Sequence, residues 1–351
     1  MAHKYDMAVF IARMQPLHQG HLAVIETALD QAQHVVILVG SSSSPRTMRN
    51  PFTFEERKRM VEDALGLAHD RALALRVHVA PLNDYVYNDS MWLQQVQTTV
   101  ERLAWQIGYT NTPTVALVGH SKDHTSYYLK MFPQWDNVEV ANYQGLNSTQ
   151  MRAAYFSDQR DLFLANAGEQ LPSTSLNFLQ TFAATDTYTH ILHEYDFIQK
   201  YRQSWAAAPY APTFVTVDAI VVQSGHVLLV RRRAAPGKGL WAMPGGFLNP
   251  AERIEDAVLR ELREETGIRV PEAVLRGSVV CRDVFDDPNR SERGRTITHC
   301  YLIKLRDDVT LPKVKGSDDA DKAKWMPIAS LRQKDFFEDH YDILINMLAR
   351  I

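Results

Sequence analysis

Three glutamates in the second half of this 351-residue chain are spaced for metal chemistry. They lie in Gly246 to Ile268, GFLNPAERIEDAVLRELREETGI, whose charged positions include Glu252, Arg260, Glu261, Glu264 and Glu265. On a helical wheel of roughly 100° per residue, Ile254 and Val258 mark an apolar stripe that Glu261 and Glu265 continue. Two carboxylates one turn apart on an inward face repel and lose hydration unless a cation lies between them. Arg260 precedes Glu264 by one turn, placed to orient it. Oxygen donors of this kind suit Mg²⁺, or Mn²⁺, rather than zinc. Asn249 with Glu252 three residues later reads as a capping box, Pro250 as a first helical residue and Gly267 as a left-handed stop. A helix of about four turns is expected.

A second constellation lies near the N-terminus, in Arg13-Met14-Gln15-Pro16-Leu17-His18-Gln19-Gly20-His21. Pro16 stiffens a turn, Gly20 permits close backbone approach, and His18 and His21 face the start of a helix. Two imidazoles, Arg13 and a helix N-terminus make an anion site suited to a triphosphate. Leu146 to Arg152 repeats the logic: Ser148 or Thr149 caps a helix whose first N–H groups meet phosphate, and Arg152 adds fixed charge. Gly40 to Ser44 reads as a loop rather than a phosphate nest. The absence of Gly-x4-Gly-Lys-Ser/Thr argues against a P-loop kinase.

These residues need strands and helices to hold them. β-Branched runs at Met7 to Ile11, Val35 to Val39, Arg76 to Ala80, Thr114 to Val118 and Val138 to Ala141 alternate with helical patterns. Leu22, Ile25 and Leu29 form one such pattern; Trp92, Val96, Val100 and Leu103 form another. Alternation of this kind implies an α/β, doubly wound parallel sheet with ligands beyond the carboxyl ends of its strands. Thr53 with Glu56 caps a helix after Arg49-Asn50-Pro51-Phe52. A mixed-polar helical stretch from about Ser175 to Trp205 is broken by Ala206 to Pro212. Strands at Phe214 to Val222, Val227 to Arg231, Ser278 to Arg282 and Thr298 to Ile303 then flank the glutamate helix, forming a mixed sheet. The expected division is 1–185, a helical linker at 186–211, and 212–351.

The spacing of Gly246, Glu252, Arg260-Glu261, Glu264-Glu265 and Gly267 resembles the Nudix box at every defining position. The resemblance implies an α/β/α fold and hydrolysis of a nucleoside diphosphate linked to another group. It makes Glu261, Glu264 and Glu265 metal ligands, the Gly245 carbonyl a further one, and Glu264 and Glu265 catalytic. Val284 to Pro288, Arg293-Gly294-Arg295, and Asp318-Asp319-Ala320 with Trp325 resemble ADP-ribose-directed members, which implies substrate contacts at Arg293 and Arg295. The first half, roughly residues 5 to 170, resembles nicotinamide mononucleotide (NMN) adenylyltransferases of the archaeal type, also found in bacterial fusions. Ala12 and Asn147 depart from that pattern, and Gly119 to Trp135 resembles the fusion subgroup. By resemblance, His18, His21 and Arg152 are catalytic; Arg13, Gln15, Arg49, Ser148 and Thr149 bind substrate; and Asp84 and Trp92 hold the nicotinamide end. The implied ligands are ATP, NMN and NAD⁺ for the first half and ADP-ribose for the second. Two alternatives stand beside this: a different acceptor for the transferred nucleotide, or a second half that senses nucleotides without hydrolysing them.

Bulk composition is compatible with this reading. Net charge is -3 with 38 basic and 41 acidic residues and no basic block, so neither nucleic acid nor an anionic membrane is expected as a partner. Two cysteines, Cys281 and Cys300, fit a reducing, cytoplasmic setting, and no signal peptide or membrane span is expected. Homo-oligomerisation is compatible with the sequence.

Overall fold

The computed structural model describes residues 3–120, 130–316 and 320–351. The chain divides into two compact units, Met1–Leu192 and His193–Ile351. No helix among the described residues is long and apolar enough to cross a membrane.

The first unit is built on five strands: β1 (Tyr5–Ala12), β2 (Ala32–Val39), β3 (Val77–Pro81), β4 (Val115–Gly119) and β5 (Asp136–Glu139). They run parallel in the order β3-β2-β1-β4-β5. Residues Val35 to Val39 and Ala116 to Val118 are buried throughout, as expected of a parallel sheet covered on both faces. Helices α1 (Gln19–Gln31), α2 (Phe54–Ala64), α3 (Arg71–Ala74) and α4 (Asp89–Ile107) connect successive strands. Val96, Val100 and Ala104 of α4 pack on Met7, Val9, Val36 and Leu38, each fully buried aliphatic contributing about 1.5–3 kcal/mol. Chain order reverses between β1 and β4, so the loops leaving these strands frame the ligand crevice.

Beyond the sheet come α5 (Ser148–Tyr155), α6 (Arg160–Asn166), α7 (Ser173–Phe182) and α8 (Asp186–Gln203). The single helical stretch expected from Ser175 is two helices, because Thr185 accepts the Tyr188 N–H at 3.1 Å and starts α8 afresh. The fifth strand starts at Asp136 rather than Val138; as an exposed edge strand it has little apolar pattern to read.

The second unit holds β6 (Phe214–Gln223), β7 (His226–Arg232), β8 (Trp241–Ala242), β9 (Gly245–Phe247), β10 (Val279–Phe285), β11 (Thr296–Lys304) and β12 (Ala320–Pro327). Their order is β10-β11-β6-β7-β12, with β8 on β7 and β9 on β6. The sheet is mixed: β11 and β6 pair in parallel, while β10 with β11, β7 with β6 and β12, β9 with β6 and β8 with β7 pair antiparallel. The helices are α9 (Ile254–Thr266), α10 (Glu272–Gly277) and α11 (His340–Leu348). Ala257, Val258 and Leu262 of α9 pack on Val217, Ala219 and Val221 of β6.

The glutamate helix starts later than the sequence suggests. Asn249 N–H donates to Glu252 Oε1 at 2.8 Å and Glu252 N–H to the Asn249 carbonyl at 3.3 Å, closing a turn before the helix. Pro250 therefore lies in that turn, and Arg253 is the N-cap. Gly267 ends α9 with a φ of 55°, as expected.

Candidate active sites

In the first unit, β1 delivers the chain into a loop that turns through Met14, with a φ of 53°, and a cis bond to Pro16. His18 is buried and precedes α1, and its N–H donates to His21 Nδ1 at 3.2 Å. The two imidazoles stack with centroids 3.7 Å apart. Gly20 lets the His18 ring pack close, since a Cβ there would lie 3.1 Å from it. The paired rings stand at the helix N-terminus, where backbone donors and the dipole favour an anion.

Arg152, in α5, is brought to the same corner. It is 5% exposed, and its Nη1 donates to the Gln15 carbonyl at 2.8 Å and Nη2 to Thr149 Oγ1 at 3.2 Å. Ser148 Oγ donates to the Pro16 carbonyl at 3.4 Å. Neither Ser148 nor Thr149 caps α5: Asn147 does, its side chain accepting the Thr149 N–H at 2.8 Å. Asn147 thus serves as the cap at a position where the sequence departs from the family pattern. Gln15 is 1% exposed, and its amide makes reciprocal 3.0 Å bonds with the backbone of Phe52. It ties two loops together and has little surface to offer a ligand.

Arg13 lies in the field of Arg49 and Asp84; burial, then Arg49, pull its pKa down, and Asp84 opposes them. Asp84 accepts the Ser44 hydroxyl at 3.4 Å, while Ser42 and Ser43 both donate to Asn83 at 2.7 Å. The serine run is thus bonded to the loop after β3. Trp92 packs, partly buried, against the core cluster, 6.0 Å from Phe132. Of the stretch from Gly119 to Trp135, residues 121–129 lie outside the described residues.

In the second unit Arg260 is the hub of the site. It forks onto Glu252 through Nε at 2.9 Å and Nη2 at 2.7 Å, a bidentate arrangement. Its Nη1 reaches Glu261 at 2.7 Å and Glu264 at 2.9 Å. The Arg260 contact, then the Asn249 N–H, hold Glu252 at about 2, well below the usual range. Glu265 accepts the Gly245 N–H at 3.0 Å, so Gly245 joins the cluster through its donor. Burial, with Glu261 and Asp218 adding to it, pushes Glu265 up to about 8. Burial also raises Glu261, against the pull of Arg260. Gly246 has no room for a side chain, because a Cβ would sit 2.5 Å from Glu261 Oε1.

Oxygen donors short of positive charge fit a hard divalent cation. Among the described residues no three His, Cys, Asp or Glu side chains close around one point, since Glu261 and Glu264 are turned onto Arg260. Glu265, Glu261 and the exposed Glu264 are the groups that would hold such an ion.

Arg293, expected from the sequence at the substrate, stands in a wall of this site whose other members sequence reasoning missed. Arg293 lies 5.4 Å from the Phe247 ring centroid and 5.7 Å from that of Phe337, and pairs with Glu338 at 3.6 Å. Arg232 stacks on Phe337 at 4.0 Å. Asp218 accepts from Thr298 Oγ1 at 2.5 Å, and burial pushes it up to about 6. His340 Nδ1 accepts the Met243 N–H at 3.2 Å, and burial holds the ring neutral. Arg290 forks onto Asp339 at 2.9 and 3.0 Å, both nearly inaccessible. Arg295, by contrast, donates to the Asp286 carbonyl of its own loop. Asp318 and Asp319 lie outside the described residues; Trp325 is core, donating to the Pro312 carbonyl at 2.8 Å. In the first unit the overlooked residue is Arg57. It falls in helical register with Met60 and Val61, a signal obscured by the charged run around it.

Two family models match the chain: Cytidylyltransferase-like over residues 9–153 and NUDIX domain over residues 212–347. A nicotinamide/nicotinic acid mononucleotide adenylyltransferase of Acinetobacter baylyi is 36% identical over 55% of this chain and 95% of its own length. An ADP-ribose pyrophosphatase of Methanocaldococcus jannaschii is 35% identical over 37% of this chain and 70% of its own. The crystal structure of a bifunctional NMN adenylyltransferase/ADP ribose pyrophosphatase from Francisella tularensis matches 98% of this chain and 99% of that one, with TM-score 0.88 and 38% identity. A second structure under that name, complexed with AMP and Mn ion, matches the same shares with TM-score 0.87 and 37% identity.

Proposed function

This chain belongs to the family of bifunctional NMN adenylyltransferase/ADP-ribose pyrophosphatases, and from that premise we propose how its own residues carry the two reactions. The observation that carries the reading is that one chain holds both sites. In the first unit His18 and His21 stack and Arg152 is bonded to the Gln15 carbonyl of the same loop, and in the second Arg260 gathers Glu252, Glu261 and Glu264. We assign residues 1–185 to the transferase domain, 186–211 to the joint and 212–351 to the hydrolase domain.

In the first domain the NMN phosphate attacks the ATP α-phosphorus in line, giving NAD⁺ and pyrophosphate. His18, His21 and Arg152 hold the phosphates, with Arg13 and Arg49 adding charge. No covalent enzyme intermediate is needed, so catalysis is positioning plus preorganised electrostatics. Asp84 and Trp92 are assigned to the nicotinamide end.

In the second domain water cleaves the diphosphate of ADP-ribose into AMP and ribose 5-phosphate. The domain depends on a divalent metal, for which we propose Mg²⁺ held by Glu261, Glu264 and Glu265. The chemistry such an ion supplies is neutralisation of diphosphate charge and acidification of a water. Arg260 keeps the glutamates in register, Glu252 fixes Arg260, and Arg293, presented between Phe247 and Phe337, meets the substrate.

The test uses purified full-length chain with Mg²⁺, offered ATP plus NMN in one tube and ADP-ribose alone in another, with products separated by chromatography. NAD⁺ in the first and AMP in the second are expected. Absence of either product removes the corresponding assignment.

A further inference from the structure

Arg57 of α2 has no accessible surface, yet it carries a full charge. Its guanidinium gathers backbone carbonyls from the loop leaving β1, which frames the first site, and from the neighbouring loop leaving β2. Nη1 donates to Arg13 at 2.7 Å and to Gly40 at 2.6 Å, Nη2 to Ser41 at 3.2 Å, and Nε to Thr53 at 3.2 Å. Arg13 is in the loop leaving β1, and Gly40 and Ser41 are in the loop leaving β2. The two loops touch above it: Gly40 N–H donates to the Ala12 carbonyl at 3.0 Å, and the Arg13 side chain lies against Gly40.

A buried cation is an expensive way to fill space, and an apolar side chain of similar volume generally serves stability as well or better. Among the described residues no carboxylate pairs with Arg57 within 4.0 Å. Its local compensation is by carbonyl dipoles, which leaves a positive charge in a low-dielectric floor. Burial lowers its pKa to about 10, which still leaves it charged at neutral pH; Asp84 opposes that shift and Arg13 adds to it. A rigid fork that reads several carbonyls at once is something lysine cannot reproduce.

We propose that Arg57 is a positioning residue for ATP: it locks the Arg13 loop to the Gly40–Ser41 turn and keeps positive potential under the triphosphate. It touches no substrate and acts through Arg13 and the two loop backbones. The inference rests on the adenylyltransferase reading of this unit and deepens it, since no sequence motif singled Arg57 out.

The experiment compares the wild-type full chain with Arg57→Lys and Arg57→Gln. Initial rates of NAD⁺ formation are taken with ATP varied at saturating NMN, and then the reverse. Circular dichroism monitors the fold, and ADP-ribose hydrolysis serves as a control from the other unit. The expected result is a KM for ATP raised roughly tenfold in Arg57→Lys and roughly a hundredfold in Arg57→Gln. The KM for NMN should stay within about twofold, with partial recovery by lysine over glutamine. Unchanged ATP kinetics in both variants, or equal weakening of both substrates, overturns the proposal. So does loss of the folded signal in both, which would make Arg57 a stability residue only. Absence of NAD⁺ from the wild type would sink the activity reading itself, and the inference with it, before any variant is compared.

Discussion

Replacing Glu265 by glutamine should make the metal-free second unit more stable while abolishing its hydrolysis. The carboxylate is held at about 8 against an ordinary 4.5, chiefly by burial. A folded pKa raised in this way gives stability that is complete below about 4.5 and lost as pH rises through about 8. At pH 7.5 about 3 units separate the solution from the unfolded value, and at ~1.36 kcal/mol per unit the cost is at most ~4 kcal/mol. Water reaches the half-buried carboxylate, so a discounted cost of ~1–2 kcal/mol is the working figure. Glutamine keeps the shape, and its amide oxygen can still accept the Gly245 N–H. In EDTA at pH 7.5 the variant's second unit should therefore melt ~2–6 °C above wild type. The gain should shrink to nearly nothing at pH 5. Saturating Mn²⁺ should reverse the order, stabilising wild type by ~2.7 kcal/mol at a hundredfold excess over Kd and leaving the variant unmoved. Scanning calorimetry at the two pH values, with and without metal, reads all of this, and AMP release from ADP-ribose gives the activity arm. A variant less stable than wild type in EDTA at pH 7.5, or a gain independent of pH, would refute the burial argument.

The other predictions address each site separately. Replacing His18 or His21 with alanine removes one member of a stack 3.7 Å deep and should lower NAD⁺ formation by about 10²-fold while leaving ADP-ribose hydrolysis intact; near-normal turnover in both variants counts against the phosphate role. Gly246→Ala places a Cβ 2.5 Å from Glu261 Oε1 and must displace that carboxylate. A shift of about 1 Å is expected to cost roughly 10²-fold in hydrolysis, checked by the rate of AMP release with adenylyl transfer as the internal control. Arg290→Met removes the guanidinium fork from the buried Asp339 carboxylate and should destabilise the second unit by about 3–5 kcal/mol in urea unfolding. The double change with Asp339→Leu should recover most of that loss; a double variant no better than the single would mean the pair contributes through something other than charge.

The sequence alone determined both architectures and the outline of both sites, because those depend on short-range chemistry. A parallel sheet was legible in β-branched runs alternating with helices, and the carboxylate face of α9 in a period of three to four residues. The Thr53–Glu56 capping box and the Gly267 stop were legible for the same reason: each bond closes within a few residues. Where local signals competed, the reading slipped. Asn249 and Glu252 do bond as a capping pair would, but Arg260, eight residues on, holds the Glu252 carboxylate in the turn, and the helix starts only after it. At α5, Asn147 took the cap expected of its neighbours.

What only the tertiary structure decided is where each charge is discharged. Gln15 was expected at the substrate, yet its amide is spent on Phe52, 37 positions away. Arg57 sat in a charged run typical of a solvated face, yet it is buried beneath two loops. Asp218 and Arg232 lie on strands and Glu338 and His340 around the start of α11, about a hundred residues on, brought together by the sheet and by the turn before that helix. A side chain's pattern in sequence reports which face of its own element it occupies. Its partner, its hydration and therefore its protonation depend on what packs against that face, and that is settled only when distant segments meet.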